Sequence, residues 1–249
     1  AVACAALGVF LILRRDAMVG HGLAHVTFGG VAIGLLLNIL PLLIALIAAV
    51  LCALGILKLK EKAGLYGDTA IGIFSSIGMA VGIVLASLAD SFNVGLFSYL
   101  FGNVLAIDAL EVWIAVALAI VVLSLVALFY QEFMFLTFDP ESARTAGVNV
   151  AGLDKVMAVL TAVTVVLGMK VVGLLMVAAL LVIPSAAGLQ VASNFWQAIV
   201  VSAIVGAASV LGGLALAFHW DLPASGSIVL LASALFGALL VLRTMRHRF

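Results

Sequence analysis

The sequence predicts an all-α, polytopic membrane bundle of about eight to nine transmembrane helices, and three observations predict it. Of 249 residues, 67% are hydrophobic and only 9% are charged, with a mean hydropathy of +1.42. A soluble domain carries about 25% charged residues, so this chain lacks the polar material to coat a water-facing globule. That excludes a soluble enzyme, a nucleic-acid binder and a disordered tail. The few charges are unevenly spaced and leave long uncharged runs, and none of these runs alternates as a barrel strand would. Helices follow, because an open sheet cannot satisfy its backbone in lipid.

Ala1 to Leu13 is apolar and ends at Arg14 and Arg15. A signal peptide carries its positive charges before the apolar stretch, so this segment reads as the tail of a first helix whose beginning precedes the sequence given. No charge falls between Asp16 and Lys58, or between Val171 and Trp220. A crossing needs about 20 apolar residues, so each of these runs holds two, divided at Asn38–Pro41 and at Gln190–Asn194. Thr69–Ala89, Val112–Gln131, Val156–Met169 and Leu222–Leu242 supply one each. The sum is eight full crossings and a partial one.

Orientation follows from the distribution of Lys and Arg. With Arg14 and Arg15 in the cytoplasm, alternation places Lys58, Lys60, Lys62, Arg144, Lys155, Arg243, Arg246 and Arg248 there too. Only Lys170 of the 11 basic residues falls outside. The outer connections are then Asn38–Pro41, Asp90–Ile107, a short turn at Met169 and Lys170, and His219–Pro223. The long inner connection is Gln131–Asp154.

Cys4 and Cys52 sit inside apolar runs and read as small hydrophobes. Small residues four apart, at Gly30-Gly34, Gly78-Gly82, Ser202-Gly206 and Ser233-Gly237, predict close helix packing.

The most unusual stretch is Gly20-His21-Gly22-Leu23-Ala24-His25. His21 and His25 are four apart and share a helix face. Two neutral imidazoles there can ligate Zn²⁺ or its neighbours, or can hydrogen-bond between helices. The Glu of an H-E-x-x-H protease is missing. Asp68, Asp108 and Glu111 read as helix-end charges, and His219-Trp220-Asp221 as an interfacial turn. Asp139 to Gly147 reads as a short helix capped by Asp139, opened by Pro140 and stopped by Gly147. It could be a solvated connector or a docking surface for a partner. The chain has no phosphate-binding G-x-x-x-x-G-K-[ST] loop.

Together these residues resemble the permease subunits of the ABC-type zinc, manganese and iron importers, over nearly the whole chain. A family motif like G-D-x-L-x-H-x-x-x-x-G corresponds to Gly20-His21-Gly22-Leu23-Ala24-His25 with Gly29 and Gly30. The D-x-E-x-A-x-x-x-G pattern matches Asp139, Glu141, Ala143 and Gly147. Phe101-Gly102-Asn103, Val172-Gly173-Leu174-Leu175, Ile183-Pro184-Ser185-Ala186-Ala187 and Pro223-Ala224-Ser225-Gly226 are similar as well.

The resemblance implies a single integral membrane permease domain over residues 1–249, of the type II importer fold, with a cytoplasmic coupling loop at about 131–154. It implies that His25 and, by position, His21 meet the transported metal. Many members carry Asp where this chain has His21, and a second imidazole should favour Zn²⁺ over Mn²⁺. Asp139, Glu141, Ala143 and Gly147 would form the helix that rests on the ATPase. The implied partners are cytoplasmic ABC ATPase subunits, an extracytoplasmic metal-binding protein, a second permease copy and membrane lipid, but no nucleic acid. No permanent cofactor and no enzymatic activity are expected, and the divalent metal is cargo. Other readings are an ABC permease for a chelate such as a siderophore or cobalamin, an ion-coupled secondary transporter, and a membrane scaffold.

Overall fold

A computed structural model describes residues 1–63, 67–88, 99–102 and 108–246. The described residues form helices: α1 Val2–Leu13, α2 Val19–Leu36, α3 Pro41–Ala63, α4 Gly67–Leu88, α5 Ala109–Leu128, α6 Tyr130–Phe138, α7 Pro140–Thr145, α8 Val150–Val172, α9 Leu174–Val191, α10 Phe195–Trp220 and α11 Ala224–Arg246. The expected all-helical bundle is therefore present.

Among the described residues, six helices are long and apolar enough to cross a membrane alone, and a bent pair raises the number to seven. The expected partial first crossing is α1, and half of the 171–220 run is the short apolar helix Met176–Val191. The count of eight to nine is therefore approximate: it is reached when α1 and the apolar stretch Met176–Val191 are added to these.

Two differences from the expected boundaries stand out. Residues 131–138 are not part of a loop: the chain turns by 66° after Leu128 and continues as α6, burying Phe133 and Leu136. Glu132 interrupts the uncharged run there without interrupting the helix. The break expected at Met169 and Lys170 lies instead at Gly173, whose φ of +86° caps α8 and opens α9. A side chain is disfavoured at that φ, so glycine sets the boundary and the nearby charge does not. Most of the Asp90–Ile107 connection lies outside the described residues, as do Asn103, Arg248 and the side chain of Glu111.

The packing core is α1 and α9, flanked by α2, α8 and α10. Residues Ala3 to Leu11 of α1 are all buried. Ser185 of α9 shares its hydroxyl hydrogen between the carbonyls of Leu181, at 2.7 Å, and Ala5, at 2.9 Å. Such sharing satisfies a buried hydroxyl beside Pro184, which removes one backbone donor from α9.

Three of the four small-residue pairs lie in helix contacts. A Cβ on Gly30 would come 2.7 Å from Ala45 Cα, and one on Gly78 would come 2.5 Å from Val26 Cα. Ser202 is buried against α9. The fourth pair differs: Ser233 is exposed and Gly237 has nothing within 4 Å among the described residues. Two motifs distant in sequence also meet, since a Cβ on Gly173 would lie 2.6 Å from Gly102 N.

Candidate functional site

Glycines position α2, and their placement leaves one face of the helix without a helix packed on it among the described residues. Gly20 faces Leu181 of α9, Gly22 and Gly29 face Ile71 and Gly78 of α4, and Gly30 and Gly34 face Ala45 and Pro41 of α3. At 100° per residue, His21 and His25 project between the α4-facing and α9-facing sides. His21 is exposed and His25 is partly buried. The deeper end of the same face is closed, with Phe28 and Ala32 buried.

The two imidazoles stand at right angles with ring centroids 4.6 Å apart. Their Nε2 atoms are 3.1 Å apart. With one ring protonated at Nε2 this is a hydrogen bond. The same spacing is also a chelate bite: an ion about 2.05 Å from both nitrogens would see an N–M–N angle of about 100°, between octahedral and tetrahedral values. Seating the ion requires both rings in the Nδ1–H form, so the donor ring's proton moves from Nε2 to Nδ1 while the accepting ring already carries its proton there. His25 Nδ1 is buried with no hydrogen-bond partner among the described residues, so none of them fixes its tautomer. Among the described residues no third His, Cys, Asp or Glu joins the pair. The pair therefore provides two ligands and an open side, which suits transient contact better than a closed structural site.

At the base of α2 lies a cluster that the sequence reading missed. Arg14 pairs with Asp154 of α8 and donates to Met157 Sδ at 3.4 Å, while Lys60 of α3 pairs with Asp16 at 2.7 Å. All four charges are partly buried. In sequence, Arg14 and Lys60 read only as topology markers. Their partners are 140 and 44 residues away, beyond any local pattern. The pairs do join groups expected on one side of the membrane, as does the Arg243–Gln190 hydrogen bond at the ends of α11 and α9.

Asp139, Glu141, Ala143 and Gly147 fall within one capped turn. Asp139 accepts from Ser142 N–H at 2.9 Å, and Pro140 opens α7. Hydrogen bonds from Ser142, from its side chain and then its backbone, hold the Asp139 carboxyl below the usual carboxylate value. At the other end Val148 N–H reaches Ala143 O at 3.0 Å and Gly147 N–H reaches Arg144 O at 3.1 Å. With Gly147 at φ +85°, this is a Schellman closure. Ala143 is fully buried, and Glu141 and Arg144 are exposed. One side of α7 is thus anchored and the other offers charge.

The remaining helix-end charges keep structural positions. Asp68 lies in the first turn of α4, and the carbonyl of Asp108 accepts from Val112 N–H ahead of α5. Asp221 caps α10 in the left-handed conformation, beside exposed His219 and Trp220.

The chain is similar to known membrane transport proteins. The model of the ABC 3 transport family matches residues 1–243. The chain is 35% identical over 230 residues to the "Manganese transport system membrane protein MntC" of Listeria monocytogenes, covering 92% of this chain and 82% of the relative. It is 32% identical over 233 residues to the "High-affinity zinc uptake system membrane protein ZnuB" of Haemophilus influenzae, covering 93% and 89%. Among solved structures it resembles "PsaBC from Streptococcus pneumoniae in complex with Fab", with a TM-score of 0.86, 30% identity, and coverage of 96% of this chain and 86% of that one.

Proposed function

We infer the function from one premise: the chain belongs to the ABC 3 transport family and is a multi-pass integral membrane protein of the manganese and zinc permease type. It is the permease subunit of an ATP-driven importer for a divalent transition-metal ion. The carrying observation is the pair of Nε2 atoms 3.1 Å apart on the face of α2 left open among the described residues. A bare ion fits that bite, whereas a chelate the size of a siderophore would need a wide apolar path.

A metal-binding protein outside the cell delivers the ion, and the ion passes His25 and His21 transiently. Cytoplasmic ATPase subunits dock on α7 through the exposed side that carries Glu141. Hydrolysis takes place on those subunits, and this chain supplies the path. Two copies of the permease act together, with α2 of each copy contributing its open face. Zn²⁺ is favoured over Mn²⁺, because two imidazoles suit Zn²⁺ better than a harder ion.

Uptake of radioactive Zn²⁺ and Mn²⁺ into proteoliposomes with the ATPase and capture protein tests this. His25→Ala should lower ATP-dependent Zn²⁺ uptake about tenfold or more, since losing even a group that only supports a metal ligand costs about 10–100-fold. His21→Asp should shift the Zn²⁺:Mn²⁺ ratio toward Mn²⁺. Unchanged uptake in His25→Ala would sink the histidine site, and uptake without the ATPase would sink the importer.

A further inference from the structure

The aromatic residues at the Arg14 end of the bundle face one another, whereas an isolated interfacial aromatic would face lipid. Phe195 is their hub. It opens α10 directly after the cap residue Asn194, whose side chain accepts from Gln197 N–H at 2.8 Å while Gln197 Oε1 accepts from Ser193 N–H at 2.9 Å. These reciprocal bonds fix the backbone that carries the ring. The Phe195 ring stands edge-on to Phe10 of α1 at 5.0 Å and to Phe138 at 5.8 Å, and lies tilted against Tyr130 at 5.6 Å. It therefore touches both ends of α6. Phe10 in turn stands edge-on to Phe133 in the middle of α6, at 5.8 Å, and both rings are fully buried.

Phe138 is the last residue of α6, and the next residue, Asp139, is the cap of α7. No flexible residue separates the aromatic cluster from the short helix. The cluster is tightly held toward α1 and looser toward α7: Phe138 is 64% exposed and lines an open cleft with Leu13, Asn194 and Phe195. A displacement of α7 thus reaches Phe138 first, then Phe195, and through Phe195 both α10 and α1.

We propose that Phe195 is a positioning residue that transmits movement of α7 to α1 and α10, keeping ATP hydrolysis and metal passage in step. This rests on the reading of α7 as the helix that docks the ATPase.

The test uses the permease in proteoliposomes with its ATPase and Zn²⁺-loaded capture protein. Four quantities are read: ATPase co-purification, basal hydrolysis, stimulation by the capture protein, and Zn²⁺ transported per ATP. Phe195→Ala should leave the first two unchanged and lower the last two about tenfold, a typical span for a residue on a coupling route. Phe195→Tyr should restore them. Phe138→Ala combined with Phe195→Ala should lose no more than Phe195→Ala alone, because the two act in one chain. If Phe195→Ala gives no folded protein, Phe195→Leu, which keeps most of the volume without the ring, carries the same expectation. Wild-type stimulation and Zn²⁺ per ATP in the folded variant would overturn the proposal. Glu141→Arg separates the two readings: if it co-purifies with the ATPase as well as wild type does, the docking role of α7 fails, whatever Phe195 does.

Discussion

Helices α2 and α7 carry the two candidate functional regions, and they are held in place by opposite means. α2 is placed by other helices. Its glycines bring it against α3, α4 and α9, and ion pairs from Arg14 and Asp16 tie its base to α8 and α3. α7 is placed largely by its own ends, with an Asp139 cap, Pro140 at the first position and a Gly147 stop. The proposed metal-facing region is thus specified by long-range packing, and the proposed docking region by local hydrogen bonds. On the proposed reading, a site that holds a 3.1 Å bite needs a rigid frame, and a helix that docks a partner does not.

The largest effect that would sharpen this contrast is at Gly29. A Cβ there would lie 2.7 Å from the Gly78 carbonyl of α4, and backbone cannot give way cheaply. Gly29→Val should destabilise the bundle by about 3 kcal/mol, at the upper end for overpacking. Thermal unfolding of the purified protein in detergent checks it, and an unchanged midpoint would mean that α2 is not packed as described.

Gly147 offers a smaller effect on the other side of the comparison. Among the described residues it has nothing within 4 Å, but it stands at φ +85°, so Gly147→Ala adds no clash with them, only backbone strain of about 1 kcal/mol. Amide exchange should quicken in α7 and the start of α8 and stay unchanged in α2. Loss of protection across the whole bundle would break the claim that α7 is held locally.

The smallest effect is the pH response of the Asp139 cap. Its carboxyl in the folded protein is held below the unfolded value, so the cap's contribution is fully present above the unfolded value of about 3.9. It is lost as pH falls through the lower folded value. Exchange protection of the Ser142 amide should be flat from neutral pH to about 5 and then decline below about 4, after correction for intrinsic exchange. Asp139→Asn should remove that decline. The same decline persisting in Asp139→Asn would assign it to another group.

The same contrast explains what was legible in the sequence. The cap, the proline and the stop of α7 are read correctly because their partners lie three to five residues away. The i, i+4 spacing of His21 and His25 is legible for the same reason. The Arg14–Asp154 pair, the approach of Gly173 to Phe101-Gly102 and the rings around Phe195 are not, because no local periodicity encodes partners so far apart. α6 was hidden differently, since the single charge of Glu132 resembles the end of a span while the helix runs on. The breadth of α2's open face could be seen only once its glycines had been matched with α3, α4 and α9.

The most direct test of the metal-facing site is X-ray absorption at the zinc edge. It is made on the purified transporter loaded with one equivalent of Zn²⁺ per permease and compared with the His21→Ala/His25→Ala variant. Imidazole nitrogens at about 2.0–2.1 Å should appear in the wild type and be lost from the variant. A spectrum without imidazole scattering, or one unchanged by the double substitution, would contradict the assignment of His21 and His25 to the path of the ion.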